Sequence, residues 1–225
     1  MQPRPGAGNA LRGWLIGEHL SSLSDVPGLL ADAACYQAIE TPTEYRLYPA
    51  KPELTMIYRF QPGSDPHAVV EGAEFVSWWR ASIRTRFPWV AEHRWVICRQ
   101  NLGPQTQVSD QLILLTEVDV ATGHEDEWGP WYEEHHVRAA RAVPGLFGSD
   151  LRRFTSEDHS GPTIHISSHP RFLQVLPIAE EADLAALTST PQYLDQLVDT
   201  QVRWGGALEW ISGTICHRMG ADPPA

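Results

Sequence analysis

The sequence predicts an α+β fold of two tandem ferredoxin-like units, each ordered β-α-β-β-α-β, with the first lacking a clear first strand. Three observations predict it. The chain superimposes on itself at a shift of 117 residues, which lays Trp14 on Trp131, His19 on His136 and Val26-Pro27-Gly28-Leu29 on Val143-Pro144-Gly145-Leu146. The same shift lays LTMIYRFQ (54–61) on RFLQVLPI (171–178), and a shift of 118 sets Ile97-Cys98 on Ile215-Cys216. A period this long means a duplicated domain, since solenoid repeats run over about 20–50 residues. Finally, the second copy alternates strand-like and helix-like runs in the split βαβ order. The repeats therefore span 9–100 and 110–220, joined by a linker at 99–110.

In the second copy, DQLILLTEVDV (110–120) is an apolar strand free of Gly and Pro. Residues 125–142 form a helix, with Pro130 expected in its first turn, where the missing N–H costs nothing. VPGL ends that helix, with Gly145 placed for a left-handed cap. GSDLRRFTS reads as the second strand, SEDHSGPTIHISSHP as a long polar loop and RFLQVLPI as the third strand. PQYLDQLVDTQVRW is the second helix and LEWISGTICHRM the fourth strand. The first copy repeats the order, but only MQPRPGAGNA precedes its helix, too short and too rich in Pro and Gly for a regular strand. Either that strand is lost or the sheet closes differently; EYRLYP (44–49) is a candidate extra strand.

With 42% hydrophobic residues, the 225-residue chain can bury a sizeable core. A net charge of −11 without a basic run argues against nucleic acid and anionic membranes, which reward clustered Lys and Arg. Three Cys without CxxC spacing suggest reduced thiols, and no signal peptide or membrane span is legible. The expectation is a cytoplasmic protein, either a monomer with an intrachain barrel or a homodimer. Nine Trp suit a core or an aromatic-lined pocket.

The stretch WYEEHHVRAARAVPGLFGSDLRRF (131–154) resembles the helix-one signature of EthD-like members of the dimeric α/β-barrel superfamily. In those proteins a Trp-Tyr pair is followed by a His five positions after the Trp, then a Val-Pro-Gly turn and an Arg-containing strand. Trp131, Tyr132, His136, Val143, Pro144, Gly145 and Arg152 or Arg153 fit. The first copy keeps Trp14, His19 and Val26-Pro27-Gly28, but has Leu15 in place of the Tyr and Ala34, Cys35 and Tyr36 opposite Leu151, Arg152 and Arg153. The resemblance implies a barrel made within one chain. Its members include cofactor-free cyclases, isomerases, lyases, quinone-forming monooxygenases and haem-dependent enzymes, so it does not name the reaction.

The candidate chemistry centres on Tyr132 and His136, which share a helix face at i, i+4 and form a usable acid–base unit. The competing reading packs this face on the sheet, with the His bonded structurally. Glu117 joins them if its face of the 111–120 strand lies inside the barrel. Alternation groups Leu112, Leu114, Thr116 and Val118 against Ile113, Leu115, Glu117 and Asp119, and either set can face inward. Trp131, Arg153, Arg59, Trp210 and His19 are candidate substrate-binding residues. The leading expectation is a cofactor-free cyclase, isomerase, lyase or decarboxylase acting on an aromatic, polyketide-like or lactone substrate. The alternatives are a haem-binding or cofactor-free monooxygenase and a non-catalytic small-molecule-binding barrel.

A metal site assembled from His124, Glu127, Glu134, His135, His136, His165 and His169 is weaker. No HExxH occurs, and His165 and His169 lie in an extended segment where four residues span roughly 13 Å. The acids of HEDEW (124–128) suit a helix start. Neither a phosphate loop nor a GxSxG elbow is present.

Overall fold

The computed structural model describes residues 1–39, 53–102, 110–146, 151–161 and 166–220. The first half contains β1 (Gln2–Pro3), α1 (Gly8–Trp14), β2 (Ala34–Ala38), β3 (Leu54–Ile57), α2 (Pro66–Glu71), α3 (Ala73–Arg86), β4 (Val90–Glu92) and β5 (Cys98–Leu102). A π-helical turn (Leu15–His19) and a 3-10 turn (Ser21–Asp25) prolong α1. The second half contains β6 (Leu112–Val120), α4 (Glu125–Tyr132), α5 (Arg138–Ala140), β7 (Arg152–Ser156), β8 (Phe172–Ile178), α6 (Leu184–Ser189), α7 (Pro191–Trp204) and β9 (Leu208–Arg218). A π-helical turn, Glu133–Val137, joins α4 to α5.

Local chemistry is matched between the halves. Both α2 and α6 start after an Asp whose carboxylate accepts backbone N–H groups, Asp65 from His67 and Asp183 from Ala185 and Ala186. The turns after the first helices use Gly28 and Gly145 at φ +86° and +84°, a conformation that penalises any Cβ. A Cβ on Gly28 would lie 2.5 Å from Val69 of α2, and one on Gly145 would lie 3.0 Å from Ala182, just before α6.

Seven strands form one antiparallel sheet, ordered β3-β2-β9-β6-β8-β7-β5 and curled into a half-barrel. Within the second half the order is fourth, first, third and second strand, β9-β6-β8-β7. The first half adds β2 and β3 beyond β9, and β5 beyond β7. Each half therefore completes the other's sheet. Both edges, β3 and β5, belong to the first half.

Three sequence expectations are corrected here. Pro130 is the sixth residue of α4, not part of its first turn. Its ring removes the N–H that would bond back to the preceding turn; the helix continues because Trp128 and Tyr132 are buried against Val118, Phe172 and Trp204. The segment before the first helix does hold a strand, β1, which pairs with β4 while Met1 exchanges backbone bonds with Leu54 of β3 (2.6 and 3.0 Å). Residues 98–102, partly assigned to the linker, are strand β5 paired with β7. EYRLYP lies outside the described residues.

The two sheet faces are now distinguished. Leu112, Leu114, Leu176, Ile178 and Ile215 pack against Val137, Ala140, Val143 and Leu187, so this face is covered by helices. Ala34, Tyr36, Ile113, Leu115, Val175 and Cys216 cluster on the opposite, inner face. Among the described residues no helix is long and apolar enough to cross a membrane.

Candidate functional site

On β6 the alternation that buries Ile113 and Leu115 inside carries Glu117 and Asp119 to the same inner face. Glu117 stands opposite Ser212 of β9, and Asp119 opposite Trp210. The Glu117 carboxylate, on a residue only 5% exposed, receives Arg94 at 2.7 Å and the Ser212 hydroxyl at 3.2 Å. Two residues along, Asp119 Oδ1 lies 3.1 Å from His169 Nδ1 and also accepts the Arg171 backbone N–H. Asp119 is buried while His169 is exposed. The carboxylate thus holds Nδ1–H and leaves Nε2 as the basic nitrogen, which has no hydrogen-bond partner among the described residues. A carboxylate-oriented imidazole and a carboxylate-held guanidinium are thus anchored two residues apart on the same face of β6.

The expected Tyr132–His136 pair forms, with ring centroids 4.3 Å apart and planes 16° apart, but on the helix-covered side of the sheet. Thr200 Oγ1 donates to the Gln196 carbonyl at 2.9 Å, so it accepts from His136 Nε2–H. Gln196 Nε2 donates to His136 Nδ1 at 2.6 Å. Both ring nitrogens are committed. Burial at 6% exposure, with His135 adjacent, pushes the His136 pKa down to about 3. The void beside Tyr132, lined also by Trp128, Arg153 and Gln174, measures about 10 Å³, room for a single water. A haem-ligand role for His136 would need a free ring nitrogen, so the donor set does not fit.

The remaining candidates are dispersed. Arg153 lies on the helix side, donating to the Gly129 carbonyl at 2.8 Å and paired with Glu133. Arg59 is paired with Asp32, so the anion it holds is the chain's own. Trp210 lies on the inner face across from Asp119. Trp131 stacks on exposed His135 with centroids 5.3 Å apart. His19 is buried at 3%, held by Tyr58 (2.7 Å) and Ser82 (3.2 Å), and burial with Arg86 nearby pushes its pKa down to about 4.

Among the described residues no group of three or more His, Cys, Asp or Glu is arranged for a metal ion; His165 lies outside them. One further cluster ties the halves together. His67 of α2 and His159 beyond β7 meet head-on, Nδ1 to Nδ1 at 3.0 Å with planes 10° apart. Their outer nitrogens face Glu157 (3.2 Å) and Glu71 (2.9 Å). The two Nδ1 atoms face each other while the carboxylates sit on the outer nitrogens, so the four groups do not converge on one point.

Sequence placed His169 only in the weaker metal set and Asp119 only on a strand face, and it did not single out Arg94. The only available signal for His169 and Arg94 was their polarity within otherwise irregular segments. Comparison of the chain with protein-family models, curated proteins and solved structures finds no match.

Proposed function

We propose that the chain is a small-molecule enzyme working by proton transfer on the inner face of the half-barrel sheet. The observation that carries this reading is the Asp119–His169 hydrogen bond on the sheet face that also presents Glu117 and Arg94. In this reading His169 Nε2 removes a proton from carbon next to a substrate carbonyl. Asp119 steadies the imidazolium that forms, and Arg94 offsets the charge developing on the carbonyl oxygen. Glu117 holds Arg94 in place, and the Trp210 ring suits a cyclic or aromatic substrate. Isomerisation and cyclisation of ring-bearing ketones or lactones fit this step. His136 and Tyr132 then stiffen the helix–sheet packing.

We further infer that the two halves descend from one duplicated ferredoxin-like unit of the dimeric α/β-barrel type, with EthD-like proteins as the nearest resemblance. Supporting this are the matched Asp caps, the Gly turns, the buried histidines with their hydroxyl partners and the reciprocal strand pairing.

A panel of aromatic ketones and lactones, incubated with protein in deuterated water and followed by NMR, tests the enzyme reading. Deuterium should enter the position next to the carbonyl with wild type and fall about 100-fold or more in His169→Gln. Full exchange activity in folded His169→Gln and Asp119→Asn, with loss in folded His136→Gln, would return the chemistry to the helix.

A further inference from the structure

Beside His136 an open groove of about 480 Å³ runs between the π-helical turn and α7, lined by Trp131, His135, His136, Ala139, Gln196 and Arg203 among others. The volume falls within the ~300–1,000 Å³ range of small-molecule sites. What such a groove accepts is shown by the other half of the same molecule. There the Trp78 indole stacks on His19, centroids 4.8 Å apart and planes 27° apart, and its Nε1–H donates to Ser22 Oγ at 2.8 Å. The self-alignment that puts His19 on His136 also puts Ser22 on Ala139, and the shift that puts Ser82 on Thr200 puts Trp78 on Gln196. His136, Ala139 and Gln196 all line the groove. So does Trp131, whose counterpart Trp14 packs against His19 in a tilted contact, centroids 4.7 Å apart. Where the first half sets an indole against its histidine, the second sets the smaller Gln196 at the wall of an open groove.

We propose that this groove binds a planar aromatic ligand, indole-sized or one ring larger, stacked where the second half lacks the Trp78 ring. Trp131 and His135 provide stacking surfaces, and Ala139 and exposed Val202 supply apolar contact. Asp199 and Arg203 bring one charge of each sign to the same lining, so polar substituents of either sign find a partner. The site lies across the sheet from the Asp119–His169 pair, and the proposal does not depend on the enzyme reading.

Titration with indole, followed by amide chemical shifts in the full chain, tests it, with cyclohexanol as a non-planar control. Saturable shifts at Trp131, His135, Ala139 and Gln196 are expected with indole and not with cyclohexanol. Gln196→Trp rebuilds the first half's indole in place and should weaken indole binding about tenfold or more, while the loss of the donor to His136 Nδ1 lowers the thermal midpoint as in Gln196→Leu. Ala139→Leu fills the groove from the opposite wall and should weaken binding likewise, and it decides the matter if Gln196→Trp does not fold. Absence of saturable binding, shifts centred elsewhere, or unchanged affinity in the folded filled variants would overturn the proposal.

Discussion

Two buried histidines, His19 and His136, each lie in the π-helical turn of their half and are secured in opposite ways. His19 sits between two indoles, Trp14 and Trp78, and takes its hydrogen bonds from Tyr58 and Ser82. His136 is stacked on a single phenol, Tyr132, and bonded to Thr200 and to Gln196, which stands where the first half has Trp78. The first half, with five of the nine Trp, fills its helix layer with rings. The second half replaces a ring with an amide, closes its histidine into a polar network and leaves a groove outside it. One packing problem is thus solved once by aromatic area and once by hydrogen bonding, and an open groove lies beside the second solution.

The largest expected effect tests what the two solutions share. Both histidines are neutral in the fold, with pKa values pushed from 6.5 to about 4 and about 3 by burial. The unfolded chain binds protons at both below about pH 6.5, so their full contribution to stability is present above that pH and is lost as pH falls toward the folded values. Denaturant unfolding should lose up to about 1.4 kcal/mol per pH unit for each histidine between pH 6 and 4. His19→Gln and His136→Gln should each remove about half of that slope; an unchanged slope in either would show that its histidine is already charged in the fold.

The turns separate the halves next. Gly28→Ala adds a methyl 2.5 Å from Val69 at a left-handed φ, and Gly145→Ala adds one 3.0 Å from Ala182. Losses of about 2–4 kcal/mol are expected at Gly28 and about 1–3 at Gly145. Equal losses would mean that φ alone sets the cost. The hydrogen-bond partners come third: Tyr58→Phe and Gln196→Leu each leave a histidine nitrogen unpartnered, which should cost about 1–3 kcal/mol. The Gln196 variant should cost less, because water from the groove can reach His136. Last, Val202→Ser, at a residue 81% exposed, should change stability by less than about 0.5 kcal/mol. A larger loss would reveal that α7 is covered in solution.

Much of the architecture was legible in the residues. The apolar run at 112–120, the 14-residue helix at 191–204 and the Val-Pro-Gly turns carry local signals, namely alternation, capping and a glycine required at positive φ. The stacking of Tyr132 on His136 also followed from helical spacing. The missed elements had weak local signals. β1 is two residues long and exists because β3 and β4 offer it partners. Pro130 is tolerated in a second turn because of the aromatic cluster around it.

Sequence by itself determined the α+β class, the strand at 112–120, the helix at 191–204 and the two Val-Pro-Gly turns, because each is written in neighbouring residues. It also named Glu117 as a candidate while leaving its direction open. Tertiary structure alone decided the direction, since an alternating strand has two equivalent faces until helices cover one. The same step paired Asp119 with His169, 50 residues away, and Glu117 with Arg94, 23 residues away. It also tied up both nitrogens of His136. A histidine's chemistry is set by what its nitrogens meet, and those partners come from strands and helices that only folding brings together.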